Sequence, residues 1–164
     1  MSEVRSHEAM VGGQFGARAE AYLQSAVHAQ GRDLQAIADL VRPHAKARVL
    51  DLGCGGGHVS FAVAPLVGEV VAYDLSPEML QVVARTARER GLANLTTRQG
   101  VAEQLPFADA SFDIVLSRFS AHHWRDFEAG LREAARVLKP SGIAGFADAI
   151  APDAPLLDTY FQAI

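Results

Sequence analysis

Val49-Leu50-Asp51-Leu52-Gly53-Cys54-Gly55-Gly56-Gly57-His58 runs from a short apolar segment directly into a cluster of glycines. Residues 48–52 read as a buried strand, and the stretch from the glycines to about residue 66 reads as a helix. Glycine between a strand and a helix lets the chain turn tightly and lets a ligand come close, because no Cβ stands in the way. Backbone amides at such a helix start are expected to face a negatively charged or carboxylate-bearing group. Turns also collect glycine, so the loop alone leaves a purely structural reading open. A P-loop is excluded because no lysine follows, and the dinucleotide fingerprint meets His58 or Ser60 where its third glycine belongs. What remains is the spacing acid-x-Gly-x-Gly-x-Gly, on Asp51, Gly53, Gly55 and Gly57.

Working outward, short apolar runs alternate with amphipathic stretches. Residues 70–73 predict a second strand ending at Asp74. Ser76-Pro77 then supplies an N-cap followed by proline at the first helical position, and Gly91 supplies a left-handed stop. Residues 95–99 and 112–116 predict the third and fourth strands. Asp126 caps a helix with Phe127, Leu131, Ala134, Ala135 and Leu138 on one stripe, which Lys139-Pro140-Ser141-Gly142 ends, and residues 143–147 predict a fifth strand. This alternation predicts βαβ units, a doubly wound and mostly parallel sheet, and ligands at the carboxyl ends of its strands. Before it, residues 15–28 and a stretch from residue 32 or 33 to residue 42 predict two helices, the second closed by Pro43.

The chain of 164 residues carries 15 Lys+Arg against 19 Asp+Glu, so its acidic balance weighs against nucleic acid as a partner. Cys54 is its one cysteine and forms no internal disulfide, which points to a reducing, cytoplasmic setting. Pro65, Gly68 and Glu69 interrupt the longest apolar candidate, so no membrane span is expected.

Two further segments extend the pattern. Asp74 stands about 20 residues past the glycine loop, where an acid in doubly wound folds accepts hydrogen bonds from ribose hydroxyls. Gln99-Gly100-Val101-Ala102-Glu103-Gln104-Leu105-Pro106-Phe107 follows the third strand. With residues 112–118 and Arg136-Val137-Leu138-Lys139-Pro140-Ser141-Gly142, these segments make the sequence resemble class I S-adenosylmethionine (SAM)-dependent methyltransferases from about residue 48 to 147. The likeness is nearest the small-molecule group typified by ubiquinone/menaquinone-biosynthesis methyltransferases.

The resemblance implies a Rossmann-like α/β fold with strand order 3-2-1-4-5, a helical lid segment over residues 1–44 and a SAM-binding domain over residues 45–164. It implies methyl transfer from SAM, leaving S-adenosylhomocysteine, to a small-molecule acceptor by direct in-line displacement. Neither a metal nor a membrane is called for. Cofactor contacts fall on Asp51, Gly53, Cys54 and Gly55 in the loop, and on Asp74, Leu75 and Met79 around the second strand end. Val101, Ala102 and Glu103 border the adenine. Val101 occupies the usual Asp position, so the acidic contact to the adenine amino group cannot come from that residue. Ser117 and Arg118 follow the fourth strand, and Tyr22 belongs to the lid, with Gly12-Gly13 as its hinge.

On the acceptor side, His122 or His123 is the candidate catalytic base, and Trp124 fits core packing at least as well as pocket lining. Two other readings stay open: an NAD(P)-dependent oxidoreductase, which shares Asp74, and a module that binds SAM or its product without catalysis. The family's last two antiparallel strands have no counterpart after residue 147. The chain therefore reads as truncated, with an uncovered fifth strand open to self-association.

Overall fold

The computed structural model describes residues 31–149. Its sheet has five strands: β1 (Arg48–Leu52), β2 (Glu69–Asp74), β3 (Leu95–Gln99), β4 (Phe112–Arg118) and β5 (Leu138–Ala147). They lie in the order β3-β2-β1-β4-β5, every neighbour parallel, as the sequence leads one to expect. Central parallel strands are covered on both faces and so lose the polar alternation of a half-exposed strand. In β1, Val49, Leu50 and Leu52 are all buried.

One face buries Val49, Val70, Ala72, Ile114 and Leu116 under α1 (Arg32–Val41), α2 (His58–Val63) and α3 (Pro77–Glu89). The other buries Leu50, Leu52, Val71, Tyr73 and Val115 against Ala134 and Val137 of α4 (Phe127–Val137). Chain order runs outward in opposite directions from β1, to β2 on one side and β4 on the other. Such a reversal opens a crevice at the carboxyl ends of the strands.

The helix boundaries follow from local chemistry. Ser76 Oγ accepts from the Met79 amide (3.2 Å) with Pro77 behind it, Asp126 caps α4 by accepting from the Ala129 amide (2.9 Å), and Gly91 takes φ 69° just beyond α3.

Two strand boundaries differ from expectation. β4 runs on to Arg118, and β5 starts at Leu138 instead of residue 143. The ladder pairs Phe112 with Leu138 and next Ile114 with Ile143, so residues 139–142 bulge out. Pro140 has no amide to donate and disfavours a helical residue before it. Leu138 packs into the core below, while Lys139 Nζ reaches Asp113 Oδ1 at 2.7 Å. Among the described residues no helix is long and apolar enough to cross a membrane.

Candidate cofactor and acceptor site

The loop after β1 is a backbone knot tied to β2. Gly53 and Cys54 both donate to the Tyr73 carbonyl (2.8 and 3.0 Å), and Gly57 donates to the Cys54 carbonyl (2.8 Å). Gly55 donates to Oδ2 of Asp74 (2.7 Å). Four of the amides expected to face a negatively charged or carboxylate-bearing group are therefore engaged within the protein. Gly53 resists substitution on two counts: its φ is 74°, and a Cβ there would lie 1.8 Å from Ser120 Oγ.

Asp51 is buried, and its Oδ2 accepts from both the amide (3.0 Å) and the hydroxyl (2.6 Å) of Ser60. It thereby supplies the cap that Gly57, at the start of α2, has no side chain to make. Burial pushes the Asp51 carboxyl up to about 7, against the opposing pull of Ser60. Asp74 is also raised by burial, although amides bond both its oxygens: Gly55 on Oδ2 and Ser76 on Oδ1 (2.9 Å). A carboxylate has about four acceptor positions. Asp74 thus ties the loop to β2 and keeps acceptor capacity in hand. Cys54 is buried, and burial raises its thiol well above the usual range.

The loop after β3 lies beside Asp74. The Gly100 amide donates to the Asp74 carbonyl (3.0 Å), and the Tyr73 hydroxyl donates to the Val101 carbonyl (3.1 Å). Glu133 and Arg136 of α4 then clamp it. Glu133 Oε2 accepts from the Leu105 amide (2.7 Å), while Arg136 donates to the carbonyls of Leu105 (3.0 Å) and Phe107 (2.8 Å) and to Asp109 (2.7 Å). Arg136 draws no notice in the sequence beyond its place in a motif, because its partners lie about 30 residues upstream. Glu103 Oε1 accepts from the Asp126 amide (3.1 Å) at the start of α4. Ala102 and Met79 are buried, and Leu75 accepts through its carbonyl from Gln99 Nε2 (3.1 Å).

At the end of β4, Ser117 is 1% exposed and its hydroxyl has no hydrogen-bond partner among the described residues. Arg118 pairs with Asp33 of α1, and its guanidinium lies 4.5 Å over the Phe119 ring. The guanidinium holds the Asp33 carboxyl below the usual range. Arg118, named above among the cofactor contacts, thus joins the end of β4 to α1. Tyr22 and the residues 1–30 portion of the lid lie outside the described residues.

Ser120 closes the loop from above, accepting from Trp124 Nε1 (3.2 Å) where it abuts Gly53. Trp124 packs against Phe127 and Phe146 (centroids 6.1 and 6.2 Å) and over Gly130, which supports its packing reading. His122 and His123 sit on the turn Ala121–His123 with rings 3.9 Å apart, and Asp148 contacts His122. Among the described residues no group of three or more His, Cys, Asp or Glu could hold a metal ion.

Comparison with known proteins identifies the family of the domain. A family model described as a methyltransferase domain matches residues 50–146. YcgJ of Bacillus subtilis, described as an uncharacterized methyltransferase, is 42% identical over 146 residues, 89% of this chain and 58% of that protein. Its crystal structure superposes with a TM-score of 0.74 at 40% identity, over 80% of this chain and 56% of that one. YafE of Escherichia coli is 53% identical over 112 residues, 68% of this chain and 54% of that protein. The demethylmenaquinone methyltransferase of Chlorobaculum parvum is 37% identical over 111 residues, 67% of this chain and 44% of that enzyme. The chain thus spans little more than half the length of the first two relatives.

Proposed function

Because this chain belongs to the class I S-adenosylmethionine-dependent methyltransferase family, we propose that it binds SAM at the carboxyl end of β1 and β2 and passes the methyl group to a small-molecule acceptor. The observation that carries this reading is the engagement of Asp74, which grips the Gly55 and Ser76 amides, also feels the Leu75 amide, and keeps acceptor capacity for a ribose hydroxyl. Val101 offers an apolar edge for the adenine, and the Ser117 hydroxyl, which has no hydrogen-bond partner among the described residues, is a polar group suited to a ligand.

Charge favours SAM over a nicotinamide dinucleotide. A pyrophosphate needs unengaged amides at a helix start, and here the amides of Gly53, Cys54, Gly55 and Gly57 are engaged and two carboxylates stand close by. Burial raises both Asp51 and Asp74, and each carboxylate would be relieved by a cationic ligand. A sulfonium supplies that charge, and a pyrophosphate would add to the repulsion.

Bound SAM supplies a methyl group already activated by its sulfonium. The task left to the protein is to align acceptor, methyl carbon and sulfur and to keep water out. Such alignment contributes ~7–11 kcal/mol of barrier reduction in favourable cases. The net charge of −4 supports a small-molecule acceptor over nucleic acid, and the buried, reduced Cys54 suits a cytoplasmic setting. Isothermal titration with SAM, S-adenosylhomocysteine and NAD tests the proposal. Binding of the first two is expected; binding of NAD alone overturns it.

A further inference from the structure

Asp148 follows β5 at the carboxyl end of the sheet and holds one residue of the neighbouring turn at two points. Its Oδ2 accepts from the His122 backbone amide (3.2 Å), and its Oδ1 lies 2.6 Å from His122 Nδ1. The same turn is fastened on its other side, where Ser120 abuts Gly53 and accepts the Trp124 indole proton. His122 therefore stands between the end of β5 and the loop after β1, with its side chain 45% exposed and reachable from solvent. The His123 ring lies 3.9 Å away and limits rotation. A carboxylate only accepts, so the bond to Asp148 puts the imidazole proton on Nδ1. The free lone pair of the neutral ring is then on Nε2.

We propose, building on the methyl-transfer reading above, that Asp148 is a positioning residue which fixes His122 with Nε2 as proton acceptor, and that the acceptor substrate is a group with a proton to lose, such as a hydroxyl or an acidic carbon. A group of this class must lose a proton when it is methylated; a tertiary amine or a thioether has none to lose. As the acceptor atom bonds to the methyl carbon, the carbon–sulfur bond breaks with its electron pair going to sulfur. The acceptor's proton passes to His122 Nε2. Positive charge moves from sulfur to the imidazolium, where the Asp148 carboxylate offsets it, and the proton then leaves to water. The arrangement follows the general logic of a base oriented by a carboxylate on its far nitrogen.

Long-range 1H–15N NMR on the 15N-labelled full chain reads the His122 tautomer with no ligand present. The Nδ1–H form is expected in the wild type, a shift toward Nε2–H in Asp148→Ala, and recovery in Asp148→Glu. With SAM as donor, simple phenols and enolisable 1,3-diketones should be methylated. His122→Gln should then lower kcat by about 10²–10⁴-fold while leaving the SAM dissociation constant unchanged. In a chain that binds SAM, any of three results overturns this inference alone: an Nε2–H wild type, no phenol or enol turnover, or an unaltered kcat in His122→Gln. Absence of SAM binding overturns the methyl-transfer reading and this inference with it.

Discussion

The Gly55 amide donates a 2.7 Å hydrogen bond to Oδ2 of Asp74, so the acid that ends β2 also fixes the loop that follows β1. A ligand reaching Asp74 thus meets a loop already shaped, and little ordering remains to be done on binding. The same bond makes Asp74 both a structural tie and a ligand group, which its substitutions should expose.

Asp74→Ala removes a charge-assisted acceptor from any ribose hydroxyls. The SAM dissociation constant should rise roughly 10- to 100-fold, about 1.5–3 kcal/mol. Calorimetry on the variant checks this, and an unchanged constant would count against the ribose assignment.

Asp51 gives stability a definite pH dependence. Its folded value, about 7, lies above the ordinary aspartate value of 3.8. Between those two values the folded state holds a proton that the unfolded state has lost. The contribution of this group is therefore fully present below about pH 4 and declines as pH rises toward 7, at a slope of up to ~1.4 kcal/mol per pH unit. In Asp51→Asn the amide oxygen can still accept from Ser60, and this decline should vanish. Urea denaturation of both proteins from pH 4 to 8 makes the comparison; parallel curves would reject the buried-acid account.

Gly53→Ala combines a left-handed backbone with a Cβ pressed on Ser120 Oγ. A stability loss of about 1–3 kcal/mol is expected. The double variant Gly53→Ala/Ser120→Gly should recover the steric part and leave the backbone part. Denaturation midpoints of the single and double variants separate the two; equal losses would mean that Ser120 yields freely.

Arg136→Met releases the carbonyls of Leu105 and Phe107 and the partner of Glu133. Amide hydrogen exchange at Leu105 should speed up, and SAM affinity should fall through loosening of the loop after β3. Exchange as slow as in the wild type would show that the loop holds itself.

The parallel sheet was legible in the sequence because its signals are local, while its strand order followed from the resemblance to a known family. Buried central strands read as continuous apolar runs, and Ser76-Pro77, Gly91 and Asp126 mark helix ends within a few residues of where they act. The spacing of Asp51, Gly53, Gly55, Gly57 and Asp74 placed the candidate cofactor site for the same reason. The start of β5 was harder to see: Leu138 continues the apolar stripe of the preceding helix, and only Phe112 on another strand draws it into the sheet.

By itself, then, the sequence determined the alternation of strands and helices and their parallel sheet, and its family resemblance implied the strand order. Tertiary structure alone decided what the polar side chains do there. It turned Asp51 toward Ser60, Arg118 toward Asp33, Glu103 toward α4 and Asp148 toward His122. Backbone periodicity repeats within a few residues and can be read along the chain. A hydrogen bond between residues 9 to 85 positions apart depends on where the fold brings them, and no local pattern encodes it.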